Sequence, residues 1–77
     1  MSDDEYDKLL KEVQKTMRKY AIPRKEFARQ LYAIIDGKGL REISAVKHNN
    51  VYRWTTGMTV PNGRATLAMQ QWLKENT

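Results

Sequence analysis

The feature that most constrains this chain is the spacing of its apolar residues, which recur every three or four positions nearly from end to end. Tyr6, Leu9, Leu10, Val13, Met17 and Tyr20 follow the helical repeat, and so do Phe27, Ala28, Leu31, Ile34 and Ile35, then Ala65, Leu67, Ala68, Met69, Trp72 and Leu73. No stretch alternates as a strand does. Ala21-Ile22-Pro23, Asp36-Gly37-Lys38-Gly39, Gly57 to Pro61 and Asn62-Gly63 interrupt the repeat with residues that turn the chain. The fold class is therefore all-α, a compact bundle of about five short helices in a single domain, 1–77. The spacing predicts helices over about 3–20, 24–36, 40–46 (from Leu40, Ile43 and Val46), 49–56 and 64–75. Ser2 and Glu5 make a capping-box pattern for the first, and Asn49 or His48 is expected to cap the fourth.

At 77 residues with no cysteine, the chain has neither disulfides nor a thiolate metal site to reinforce a small core. Pairing with a second copy would relieve that. The acidic start does not read as a secretory leader, and no apolar run approaches a membrane span; a cytoplasmic protein without a membrane partner is expected. The net charge is +5. Asp3, Asp4, Glu5, Asp7 and Glu12 outweigh Lys8 and Lys11, leaving residues 1–12 at −3 and residues 13–77 at +8. A basic body of pI about 9.7 is the electrostatic footprint of a polyanion binder, because neutralising phosphates releases condensed counterions. The lysines and arginines of the first helix (Lys8, Lys11, Lys15, Arg18, Lys19) read as its solvated face.

Between Lys47 and Pro61 the residue types change. Val51 and Trp54 lie one turn apart and can anchor a short helix, while His48, Asn49, Asn50 and Arg53 stand at its start or on other faces. Asn pairs well with adenine and Arg with guanine in the DNA major groove. Gly57 can end the helix in a left-handed conformation, and Pro61 prevents its resuming.

This segment resembles the recognition helix and following turn of the lambda repressor and Cro family of helix-turn-helix proteins, carried here by Val51, Trp54, Gly57 and Pro61. Two registers are open for the family's scaffold helix. The segment from Ile22 to Leu31 is similar to that helix's usual start, but about a dozen extra residues then precede the recognition helix. Leu40 to Val46 fits the spacing, but places Arg41 where the family prefers Ala and Ala45 where it often has Gly. Either way the helix-turn-helix is atypical. The resemblance implies a sequence-specific binder of double-stranded DNA, a small phage- or plasmid-type transcriptional regulator, nucleoid-associated when bound, acting as a homodimer on a near-palindromic operator. It also implies base contacts from His48, Asn49, Asn50 and Arg53, with Asn49 and Arg53 foremost. Phosphate contacts are expected from Lys47, Tyr52, Thr55, Thr56 and Thr59, and a dimer interface from Trp72 and Leu73.

Catalysis is not expected. His48 is the sole histidine, Ser2 and Ser44 lie in no nucleophile context, and Gly37-Lys38-Gly39 is too short for a phosphate loop. Glu26, Asp36, Glu42 and Glu75 are scattered, so no metal, cofactor or small-molecule ligand is expected. The alternative is a protein-binding module, such as an antitoxin or phage accessory protein, using the C-terminal helix. A single-strand RNA reader would have to stack bases on Tyr32 and Tyr52.

Overall fold

Three of the helix breaks in the chain are closed in the same way. In a computed structural model, which describes residues 3–77, Ala21, Gly37 and Gly57 each adopt a left-handed conformation, at φ 52°, 67° and 78°. Each lies just past a helix whose last carbonyls it helps to satisfy. Ile22 N–H bonds the Met17 carbonyl and Ala21 N–H that of Arg18; Lys38 bonds Ala33 and Gly37 bonds Ile34; Met58 bonds Arg53 and Gly57 bonds Trp54. These are Schellman closures, and they divide the chain into α1 (Asp3–Lys19), α2 (Arg24–Asp36), α3 (Ala45–Thr55) and α4 (Gly63–Glu75). The Ser2 side of the expected capping box lies outside the described residues.

There are four helices among the described residues, not five. The helix expected over 40–46 does not form, and residues 38–44 run without helical structure into α3. Ser44 explains the difference: its hydroxyl accepts the Lys47 N–H at 3.2 Å, making Ser44 the N-cap in place of Asn49 or His48. A cap residue has extended backbone and cannot also continue a helix from behind. The Leu40–Ile43–Val46 spacing is therefore not a buried face. Leu40 and Val46 are exposed and Ile43 alone packs on the core.

α2 occupies the centre, packing against α4 and α3, while α1 lies across α4. The core joins Leu9, Leu10 and Val13 of α1, Phe27, Ala28 and Leu31 of α2, Val51 of α3 and Ala68, Met69 and Trp72 of α4. Phe27 meets Trp72 edge-on, with ring centroids 4.7 Å apart. The indole N–H donates to Gln30 Oε1 at 2.8 Å, so the one polar atom of this buried ring is satisfied. Trp72 is only 1% exposed, and Leu73 packs partly buried against the same cluster. This removes Trp72 from the expected dimer interface, since it is buried in the core of its own chain, while Leu73 keeps part of its surface. The large apolar residue that α4 turns outward is Leu67, 66% exposed. No helix among the described residues is long and apolar enough to cross a membrane.

Candidate nucleic-acid interface

α3 is held from behind by all that surrounds it. Val51 is fully buried, and Trp54 stacks on Tyr32 of α2 at 6.1 Å. The last carbonyls of a helix have no partner within it. Here two long side chains of α1 reach them: Tyr6 Oη donates to the Trp54 carbonyl at 3.1 Å and Gln14 Nε2 to that of Thr55 at 2.7 Å. Burial, and then the neighbouring Asp7 charge, push the Tyr6 hydroxyl up to about 12, so it remains a donor throughout the ordinary pH range. From α2, Arg24 donates to Thr55 Oγ1 at 3.2 Å and lies over the Tyr52 ring at 4.6 Å. At the other end Lys47 pairs with Asp36 at 3.3 Å and approaches the Tyr32 ring.

The outward face is different. At about 100° per residue, Val46, Asn49, Asn50 and Arg53 share one stripe, with Ala45, Tyr52 and Thr56 along its edge. Asn49 and Arg53 are exposed and Asn50 half-buried. Among the described residues, none of the three side chains makes a hydrogen bond or an ion pair, although each could make several. From Ile43 to Lys74 the sequence has no carboxylate, so α3 carries none of its own, and the carboxylate that approaches its start is Asp36, through Lys47. The exposed cations Lys38 and Arg41 lie in the segment leading into it.

The expected site residues therefore separate. Asn49, Asn50 and Arg53 come together on the stripe. His48, half-buried, lies on the flank of the helix, roughly a third of the way round from that stripe. Thr55 cannot be a phosphate contact: it is buried, its hydroxyl donates to the Val51 carbonyl at 3.0 Å, and it accepts from Arg24. Lys47 is occupied by Asp36 and Tyr32. Tyr52 and Thr59 remain exposed; Thr56 is exposed too, but its hydroxyl donates to the Tyr52 carbonyl at 2.8 Å and has no proton left for a phosphate. Tyr32 is buried beneath Trp54 and Lys47, so it offers no stacking platform to a single strand. Tyr6, Gln14 and Arg24, which fix the end of α3, went unrecognised in the sequence. The one available signal was Gln14 and Thr16, the uncharged polar residues among the charges of α1.

Between α1, the α1–α2 turn and the end of α3 lies an open groove of about 650 Å³, lined by Met17, Ile22 and Pro23 with Arg18 and Arg24 at its rim. No cluster of His, Cys, Asp and Glu among the described residues could hold a metal ion. No protein-family model, curated protein or solved structure matches the chain.

Proposed function

We propose that the chain binds duplex DNA sequence-specifically, with α3 in the major groove, and acts as a small repressor-like transcriptional regulator on a site of two mirrored half-sites. One observation carries this reading: Asn49, Asn50 and Arg53 project from a single face of a rigidly held helix with their hydrogen-bonding capacity unused. In the major groove, Arg53 has the fork that matches guanine O6 and N7, and the asparagines match adenine N6 and N7. Lys38 and Arg41, beside the start of the helix, and Tyr52 and Thr59, beside its end, are suited to phosphates, which set register without reading sequence. α2 is the scaffold partner in this reading. The intervening residues 37–44 replace the usual turn of about three or four residues, so the pair is a helix-turn-helix only in a lengthened form.

Selection of bound duplexes from a randomised pool at two salt concentrations tests the proposal. Enrichment of one motif with paired half-sites that survives the higher salt is the expected result. Arg53→Ala and Asn49→Ala should then each cost about 1–3 kcal/mol on the selected duplex, relax preference at one position and barely change binding to random DNA. Arg41→Ala should weaken both alike and flatten the salt slope by about one unit. Equal losses on selected and random DNA for all three variants would refute this assignment. A pool without enrichment, bound only at low salt, would refute sequence reading itself.

A further inference from the structure

Val46 is the most exposed large apolar residue among those described, at 69%. It occupies the second position of α3, one turn before Asn49 and Asn50 and two turns before Arg53, on the same stripe. Nothing in the fold accounts for it. It touches no core cluster, and a β-branched side chain is a poorer helix former than the unbranched alternatives. Leu40, Met58 and Val60, also exposed, lie in connecting segments. Val46 alone places an apolar surface in line with the unused hydrogen-bonding groups.

The major-groove edge of a base pair is polar except at one place, the C5 methyl group of thymine. Resting on the DNA-binding reading above, we propose that Val46 is a specificity-determining residue that packs on a pyrimidine C5 methyl group. An adenine read by Asn49 through N6 and N7 has a thymine opposite it, and the same groove edge carries that methyl group. A valine one turn from an asparagine, on one helix face, therefore suits an A·T pair or two successive ones. 5-Methylcytosine presents the same methyl group and is the second source of this chemistry.

The probe is the duplex selected from the randomised pool, resynthesised with deoxyuridine at single thymine positions, and separately with 5-methylcytosine at its cytosines. Wild-type protein should lose roughly fourfold in affinity at one thymine per half-site, the transfer value of a single buried methyl group. A comparable gain on cytosine methylation instead would assign the methyl group to 5-methylcytosine. Val46→Ser, which presents a hydroxyl in place of the apolar end, should be indifferent to either change; its helical circular dichroism should be intact, since one serine at an exposed helix position is a small change in propensity. Wild-type protein that reads sequence but ignores every methyl substitution would overturn the inference and leave the DNA reading standing. A Val46→Ser protein that still discriminates would also overturn it, since the methyl group would then be sensed elsewhere. Absence of any selected motif would remove the DNA reading, and this inference with it.

Discussion

Tyr6→Phe removes one oxygen atom and tests how α1 holds α3. Tyr6 is 5% exposed, and its hydroxyl donates to the Trp54 carbonyl across 48 positions of sequence. In the phenylalanine variant that carbonyl still receives the Gly57 N–H at 3.3 Å, so the loss is one net hydrogen bond, about 1 kcal/mol at neutral pH. The informative part is the pH dependence. The hydroxyl is raised from 10.0 to about 12, by burial first and the Asp7 charge second. Below pH 10 it is protonated in both folded and unfolded chains, and its contribution is fully present. Between pH 10 and 12 the unfolded chain ionises while the folded chain does not, so stability drains away by roughly 2–3 kcal/mol as pH rises. The wild-type advantage should therefore vanish near about pH 11 and reverse above it, the phenylalanine variant becoming the more stable protein. Urea unfolding of both proteins from pH 7 to 12 measures this, because ionisations common to the two cancel in the difference. A difference that stays constant across pH 10–12 would show that the hydroxyl is neither desolvated nor committed to α3.

Two further outcomes follow from the packing and the turns. Trp72→Phe should cost about 2–3 kcal/mol in denaturant unfolding, through the cavity left beside Phe27 and the stranded Gln30 Oε1. The loss should be the same at every protein concentration, whereas an interface residue would show a loss that shrinks or grows with concentration. Ala21→Gly should stabilise by about 0.5–1 kcal/mol, since Ala21 holds at φ 52° a position that glycine fills in the other two closures. An unfolding midpoint unchanged or lowered by the glycine would show that the turn is not strained.

The sequence was most legible where one signal acted alone. The spacing of apolar residues located α1, α2 and α4 to within a residue or two, because each has a continuous face against the core. The entry to α3 was misread because two signals competed there. Leu40, Ile43 and Val46 have helical spacing, but Ser44 sits among them and its hydroxyl takes the Lys47 N–H; a local hydrogen bond outweighed a periodicity that buries only Ile43. Trp72 was misassigned for another reason. A buried stripe and an interface stripe look alike in one sequence, and what decides is Gln30, 42 residues away. Lys47 and Thr55 read as free polar groups because their partners, Asp36 and Arg24, are supplied by a different helix. Asn49 and Arg53 stay exposed, as expected of surface positions, because no distant residue claims them.

The size of the α3 stripe bears on why the proposed site should be paired. From Val46 to Arg53 is about 10 Å at 1.5 Å per residue, which spans roughly three base pairs at 3.4 Å each. Three specified base pairs recur about once in every 64 positions of random sequence, far too often to mark one site among the roughly 10⁶ or more competing positions of a genome. Stronger contacts within one copy would raise affinity for all of those sites together and leave the ratio almost unchanged. Specificity must come from a second reading element, and the remaining exposed cations, Lys38 and Arg41 among them, meet phosphates rather than bases in the proposed reading. A second copy adds base pairs without new chemistry: two-fold pairing turns a three-base-pair reader into one of about six with a fixed spacing, and chance occurrence falls from about one position in 64 to about one in 4,000. That is why paired half-sites, rather than a longer single motif, are the result to seek in the selection. Trp72 is consumed by the core, so whatever surface pairs the copies must be built from outward residues, and Leu67 is the large apolar residue that α4 leaves in solvent.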